Sequence, residues 1–150
     1  MQDLPQFYRD PALTAKIALI AESFVHLLGY PLVEADRDPI MALWEIPKVV
    51  VAHGAQEDPI FFFGNAQALA AFECDVATFT TMPSRLSAEA PARSERQKLL
   101  DRVSRNGFID DYAGVRISSK GRRFHIERAT VWNLMDVEGN YHGQAATFTL

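Results

Sequence analysis

Three consecutive phenylalanines, Phe61 to Phe63, run directly into Gly64-Asn65 and an alanine-rich segment. A strand presents alternate side chains to its two faces, so this run predicts a strand that is buried on both faces. Burying one Phe stabilises a fold by roughly 1.5–3 kcal/mol, which makes exposing either set to water unfavourable. The stretch therefore requires a sheet that is covered on both sides.

The N-terminal region predicts one of the covering elements. Asp10-Pro11 is a typical helix start, because Asp caps free amides and Pro fits the first helical position. Gly29 and Pro31 form a typical helix end. Apolar residues recur between these signals at spacings of three and four, which predicts an amphipathic helix. Residues 34–39 are predicted to form a loop.

The middle of the chain predicts two strands followed by helices. Residues 48–54 and 60–64 are short and β-branched or aromatic, which predicts a hairpin-like pair of strands. Asn65 and Asp75 are predicted to cap two short helices. The capping box Ser94-x-x-Gln97 is predicted to open a longer helix that ends at Gly107.

The last third of the chain alternates between apolar and polar residues. Residues 108–118, 122–136 and 141–150 predict three strands that are joined by short turns. Together with the first two strands they predict an α+β fold. Its sheet would have five antiparallel strands, with short helices on one face and the extra N-terminal helix in addition.

Three stretches resemble the MEKHLA domain family: "EDPIFFFGNAQALAAFE", "MPSRLSAE" and "GFIDDYAGVRISSKGRRFHIERATVWNLMDVEGNYHGQAATF". They cover most of residues 45–150. The family is a PAS-like module that ends plant homeodomain–leucine-zipper regulators and stands alone in bacteria. With the N-terminal helix already predicted, we expect a helical segment over 1–30 and a PAS-like domain over 31–150 within one structural domain. The resemblance implies a sensory or interaction role.

The resemblance also implies a direction for each side chain of the second strand. Ile60 and Phe62 would face a cavity under the short helices. Phe61 and Phe63 would face outward, covered by the helix of residues 10–29 from this chain or from a partner.

Two arginines are the strongest polar candidates. Placing Gly121 as in related PAS domains sends Arg116 and Arg128 into the cavity. A buried arginine needs a partner, which could be Asp110, Glu127 or an anionic ligand. An internal ion pair is the more common outcome, and the opposite face assignment would leave both arginines in solvent.

Comparison with flavin-binding light sensors of the PAS class bears on whether this chain could bind a flavin and form a light-driven bond to it. Ser84 stands where their reactive Cys lies, and Ser cannot form the light-driven thioether. Arg85 matches their phosphate-binding Arg, which leaves a dark flavin or another anion open beside a plain salt bridge. Gln144 matches their cofactor-sensing Gln, beside an ordinary hydrogen-bonding role.

Other function classes have little support. The four histidines are scattered, and residues 95–106 contain none, so neither a metal site nor haem is expected. A net charge of −4 makes nucleic acid an unfavourable partner. Cys74 is the single cysteine, and with no signal pattern or long apolar run in view we expect a cytoplasmic protein without membrane contact.

The leading hypothesis is a sensory module, not an enzyme, that binds a small molecule, with an anion among the options, and forms a homodimer. The alternatives are an interaction module with a filled core and a small enzyme that uses the same cavity. Adjacent Asp110 and Asp111 should face opposite sides of a strand, which weakens the enzyme. The candidate ligand-binding residues are Val49, Val51, Phe62, Arg85, Arg116, Arg128, Trp132 and Gln144.

Overall fold

A computed structural model describes residues 3–88 and 93–150, without the side chains of Arg93 and Arg96. The helices are α1 (Pro11–Leu28), α2 (Pro39–Glu45), α3 (Ala66–Phe72), α4 (Val76–Phe79) and α5 (Arg93–Asn106). The strands are β1 (Val49–His53), β2 (Phe61–Gly64), β3 (Phe108–Ile117), β4 (Arg123–Met135) and β5 (Tyr141–Phe148). Short 3-10 helices span Gln6–Arg9 and Ser84–Ser87.

The five strands form one antiparallel sheet in the order β2-β1-β5-β4-β3. The last three strands are a meander, and the hairpin of β1 and β2 joins it through β1 and β5. This arrangement confirms the predicted α+β fold with a five-stranded sheet.

The predicted N-terminal helix is confirmed as α1. The side chain of Asp10 accepts a hydrogen bond from the backbone N of Ala12, and Gly29 ends the helix at φ 82°. Ile17, Ile20 and Phe24 are buried against the sheet. By length and composition α1 could also cross a membrane, but a buried apolar stripe of this kind is equally typical of a core helix.

Two helix starts differ from the prediction. The loop predicted for residues 34–39 ends at Asp38, whose side chain accepts from the backbone N of Ile40 and opens α2. Helix α5 begins at Arg93, one residue before the predicted cap at Ser94.

The two faces of the sheet carry separate cores. Val50 and Ala52 of β1 pack with α1 and α2 on what we call the α1 side. Val49 and Val51 pack with α3 and α4 on what we call the cavity side. Both faces are covered by this chain itself, as the phenylalanine run requires.

A β-bulge changes the predicted directions within that run. Ala52 pairs with Phe63 and His53 pairs with Phe61, so Phe62 is an extra residue in β2. The insertion shifts the side-chain alternation by one, and Phe62 and Phe63 both join the α1 side. The outward prediction is confirmed for Phe63, but it is wrong for Phe61, which packs on Phe79 with ring centroids 4.3 Å apart.

A second bulge lies in β4. Tyr112 and Gly114 of β3 pair with Ala129 and Ile126, so β4 holds an extra residue between those pairs. Arg128, within this bulge, has the left-handed φ of 53°. Ile126 before the bulge faces the cavity side, whereas Trp132 after it faces the α1 side.

Asn65 is the confirmed cap of α3 and also ties the sheet to α2. Its Oδ1 accepts from the backbone N of Ala68 and of Val50, each at 3.0 Å. Its Nδ2 donates to the backbone oxygens of Leu43 at 3.0 Å and Lys48 at 2.7 Å. The side chain is fully buried, and all its strong hydrogen-bonding capacity is used.

Candidate ligand cavity

A cavity of about 50 Å³ lies between the cavity side of the sheet and the elements that cover it. Its wall is mostly apolar and includes Val51, Phe61, Leu99, Ile126 and Val131. The polar residues in the wall are His53, Ser87, Tyr112, Arg116 and Gln144. An apolar chamber with a few convergent polar groups is the usual form of a small-molecule site.

Arg116 reaches into this cavity from β3, as predicted. The residue is half-buried overall, but its Nη1 has no contact with solvent and no hydrogen-bond partner among the described residues. The guanidinium carbon lies 5.3 Å from the centroid of the Tyr112 ring. Burial lowers the pKa of Arg116 because desolvation disfavours the charged form. The group nevertheless stays charged at neutral pH.

The ion pairs predicted for Arg116 with Asp110 or Glu127 are not observed. Both carboxylate residues are exposed, and neither satisfies Nη1. Among the described residues, the guanidinium of Arg116 interacts favourably with the face of the Tyr112 ring. A ring face compensates a buried charge less well than a carboxylate does.

Gln144 enters the cavity from β5 and is 3% exposed. Its Nε2 donates to Oδ1 of Asn133 at 2.9 Å. Asn133 is held by its own Nδ2, which donates to the backbone oxygen of Val103 in α5 at 3.2 Å. Gln144 Oε1 is buried and has no partner among the described residues. As far as the described residues show, the cavity-lining residues thus carry one unpaired donor and one unpaired acceptor.

The structure separates the predicted site residues into three groups. Val51, Arg116 and Gln144 line the cavity, and Val49 belongs to the same core. Phe62 and Trp132 lie on the α1 side, because the bulges in β2 and β4 reverse their directions.

Contacts on the α1 side explain why these two aromatic residues cannot reach the cavity. Phe62 lies under the amine of Lys16, which is 4.6 Å from the ring centroid. Trp132 Nε1 donates to the backbone oxygen of Ile20 at 3.1 Å. Both side chains serve the packing of α1 on the sheet.

The two remaining arginines lie at the surface. Arg128 is exposed because its bulge turns it away from the cavity. The Nε of Arg85 is 3.2 Å from both carboxylate oxygens of Asp58, and both side chains are about half exposed. The salt-bridge interpretation of Arg85 is therefore the one that the structure shows.

Several cavity residues were not among the predicted site residues. Tyr112 and Ser87 line the cavity, and Asn133 sets the direction of the Gln144 amide. Tyr112 shares the face of Arg116 in the alternation of β3, which was a usable signal. Ser87 and Asn133 depend on long-range packing that no local pattern encodes.

Arg122, a basic residue near the β3–β4 turn, forms a salt bridge with Glu73 at the end of α3. Nε of Arg122 donates to Oε1 of Glu73 at 2.8 Å. This bond lowers the pKa of Glu73.

The described residues contain no group of three or more His, Cys, Asp or Glu side chains placed to hold a metal ion.

Comparison with known families gives the assignment. The model of the MEKHLA domain matches residues 14–150. The chain belongs to the MEKHLA domain family. The matched region includes the whole sheet and every helix except the first turn of α1 and the 3-10 helix that precedes it.

Curated relatives of this MEKHLA domain are plant homeobox-leucine zipper proteins by name. The homeobox-leucine zipper protein HOX9 of Oryza sativa subsp. indica is 22% identical over 133 residues, which are 86% of this chain and 16% of that protein. ATHB-15 of Arabidopsis thaliana is 22% identical over 127 residues, which are 82% of this chain and 15% of that protein. This MEKHLA domain therefore corresponds to a small part of each relative.

Solved structures confirm a PAS-like fold. A PAS domain from Colwellia psychrerythraea has a TM-score of 0.58 at 13% identity, covering 72% of this chain and 89% of that one. The light-state dimer of the fungal blue-light photoreceptor Vivid has a TM-score of 0.59 at 14% identity, covering 87% and 91%. At these identities the likeness concerns the fold alone.

A flavin does not fit the residues present. The cavity of about 50 Å³ is well below the roughly 300–1,000 Å³ of typical ligand pockets. Ser84 is buried where a photoreactive Cys would be needed, and Arg85 is paired with Asp58 at the surface. The cavity is therefore too small for a flavin.

Proposed function

We propose that this MEKHLA domain is a sensory module that binds a small molecule in the cavity between the sheet and its covering helices. The observation that supports the proposal is that Arg116 and Gln144 line the same apolar cavity, and that each has a buried polar atom, Nη1 and Oε1, without a partner among the described residues. Each unsatisfied buried polar group costs about 1–3 kcal/mol, and more when the group is charged. A ligand that satisfies both recovers that free energy on binding.

A cavity-filling variant tests this proposal. Ala146 lines the cavity and is half-buried, so A146L should occupy the space without touching either polar group. We expect native mass spectrometry or a small-molecule thermal-shift screen to detect a ligand on the wild type and none on A146L. A70L, on the exposed face of α3, is the matched control and should retain the ligand. A wild type that binds nothing would overturn the proposal.

The second candidate is an interaction module whose core is filled by its own side chains. The small volume of the cavity favours it, because Phe61, Phe72 and Phe79 already fill much of this side of the sheet. This candidate predicts that A146L is tolerated or stabilised while binding to a partner protein is unchanged.

An enzymatic role has less support than either. Asp110 and Asp111 are both exposed and lie outside the cavity, and Asp111 contacts Arg102 at 3.4 Å.

A reducing compartment such as the cytoplasm suits the free thiol of Cys74, whose pKa is raised by burial.

Dimerisation would use the outer surface of α1. The α1 side of the sheet is covered by α1 itself, which leaves the solvent side of the helix and the adjoining groove. This groove, of about 650 Å³, lies between α1 and the β4–β5 turn and includes Leu19, Leu27 and Val137. Val137, which lines this groove, is fully exposed. A second copy of this chain is the partner that the proposal specifies.

Light scattering after size exclusion tests the dimer. V137E places a charge in this groove and should convert a dimer into a monomer. L86E, at a 45% exposed position on another surface, is the control and should leave the mass unchanged. A wild type that is monomeric at high concentration would refute this part of the proposal.

A further inference from the structure

The hydrogen bonds around Gln144 fix which end of its amide faces the ligand. The backbone oxygen of Val103 can only accept, so the group of Asn133 that faces it must be the amide nitrogen. The other end of that side chain, Oδ1, then points to Gln144 and can only accept. Gln144 must therefore turn its Nε2 toward Asn133 and present Oε1 as an acceptor.

Arg116 offers the complementary function. Its guanidinium is a permanent cation that can only donate, and Nη1 has no partner among the described residues. A ligand that satisfies both groups needs an acceptor for Arg116 and a donor for Gln144. The nearby positive charge disfavours a cationic donor such as an ammonium group, so a neutral hydroxyl is the better choice.

The size of the cavity limits the ligand further. A volume of about 50 Å³ corresponds to roughly three to five water-sized positions. The described lining contains no lysine and no arginine other than Arg116, so a second negative charge would be desolvated without its own counter-charge. A single negative charge and very few heavy atoms are what this chamber can accommodate.

We propose that the cavity binds a compact monoanion that carries its own hydroxyl group. Arg116 Nη1 donates to the anionic oxygen, and Gln144 Oε1 accepts from the hydroxyl. Small 2-hydroxycarboxylates and bicarbonate share this chemistry. The inference rests on the proposed sensory function and specifies the ligand of the same cavity.

Two matched pairs of probes test the inference and separate its two sources. Glycolate and acetate differ by the hydroxyl group. Nitrate is a planar monoanion with three oxygens, like bicarbonate, but it has no hydroxyl. Chemical-shift titration of the Gln144 side-chain amide should show saturable binding of one hydroxyl-bearing anion. Its affinity should exceed that of its partner without a hydroxyl by about tenfold, because acetate or nitrate leaves Oε1 unpaired.

Variants assign the two roles. R116M should weaken binding of every anion by about a hundredfold, and R116K should restore part of it because the charge remains. Q144L should remove the preference for the hydroxyl while acetate binding persists. R85M, at a surface arginine, is the matched control and should change neither affinity nor preference.

An internal carboxylate is the alternative partner for Arg116. Glu89 lies close in sequence to Ser87 but outside the described residues, so E89Q and R116M should be combined in a double-mutant cycle on ligand-free protein. Additive effects on the folding equilibrium support the inference. A coupling of tenfold or more assigns Glu89 as the partner and overturns it.

The outcomes distinguish this inference from the sensory function itself. If a neutral molecule occupies the cavity and its binding survives R116M, the anion is refuted but the sensory module stands. If ordered water alone links Arg116 to Gln144 and A146L changes nothing in any binding assay, both fail.

Discussion

The hydroxyl of Tyr8 forms two hydrogen bonds with Gly64. It donates to the backbone oxygen and accepts from the backbone N, each at 2.9 Å. Gly64 belongs to β2, the edge strand of the sheet, so Tyr8 completes hydrogen bonds that the edge would otherwise leave open. Burial raises the pKa of Tyr8 well above its usual range, which keeps the hydroxyl able to donate.

The first prediction concerns this contact. Y8F leaves both backbone groups of Gly64 buried without a partner, and we expect it to lower the free energy of unfolding by about 1–3 kcal/mol. Urea denaturation followed by circular dichroism measures the change. Y30F, at a 56% exposed position, is the control and should be neutral. Equal stability of Y8F and the wild type would contradict the proposed edge role.

The second prediction concerns Asn65. In N65D the backbone oxygens of Leu43 and Lys48 lose their donor and meet a carboxylate instead. We expect a loss of about 3 kcal/mol or more in the free energy of unfolding at neutral pH. Q67E adds the same charge two residues further along, on the exposed face of α3, and should have little effect. A mild N65D phenotype would show that α2 can detach without cost.

The third prediction concerns acid sensitivity. Nε2 of His142 donates to Oδ2 of Asp136 at 2.9 Å, and this bond holds the pKa of Asp136 well below its usual range. A lowered folded-state pKa gives stability that is present above the unfolded value, about pH 3.9, and is lost as pH falls below it. D136N should therefore be less stable than the wild type at neutral pH.

Denaturation from pH 5 to pH 2 measures this dependence. The difference between D136N and the wild type should shrink as the pH falls below about 4. D110N, an exposed carboxylate on β3, should show no such convergence. A constant difference across the range would exclude Asp136 as its source.

The fourth prediction compares two non-glycine residues that have left-handed backbone in the described part of the chain, Arg128 at φ 53° and Glu73 at φ 57°. Glycine removes the steric cost of this conformation, so R128G should be as stable as the wild type or gain up to about 1 kcal/mol. E73G should instead lose stability, because Glu73 bonds Arg122 and Ser118. Thermal denaturation of both variants tests the contrast, which fails if they shift in the same direction.

The sequence predicted the elements of the fold better than the directions of its side chains. Helix caps such as Asp10 and Asn65 are local signals, and the structure confirms them. Asp38-Pro39 repeats the signature of Asp10-Pro11, so α2 could have been recognised by the same rule. The double contact of Tyr8 with Gly64 spans 56 residues and has no local signal.

The directions of side chains can be predicted from the sequence where the alternation is unbroken. On the stretch of β3 that contains Arg116, side chains alternate without interruption, and the inward direction of that residue follows from the pattern. Phe62 and Trp132 lie at or beyond a bulge, where strict alternation gives the wrong face. An inserted residue changes little in the apolar pattern, so sequence periodicity alone could not find it.

Arg128 divides β4 into two segments whose side chains are in opposite phase. Deleting that residue would give β4 one continuous side-chain alternation from Arg123 to Met135. Every side chain of β4 after the deletion would then face the opposite side of the sheet. Trp132 would leave Phe24 and turn toward Arg116, while Asn133 would release the amide of Gln144. Across the MEKHLA family, a one-residue alignment gap here would mark a chamber with a different recognition chemistry, even between relatives that agree at every other position.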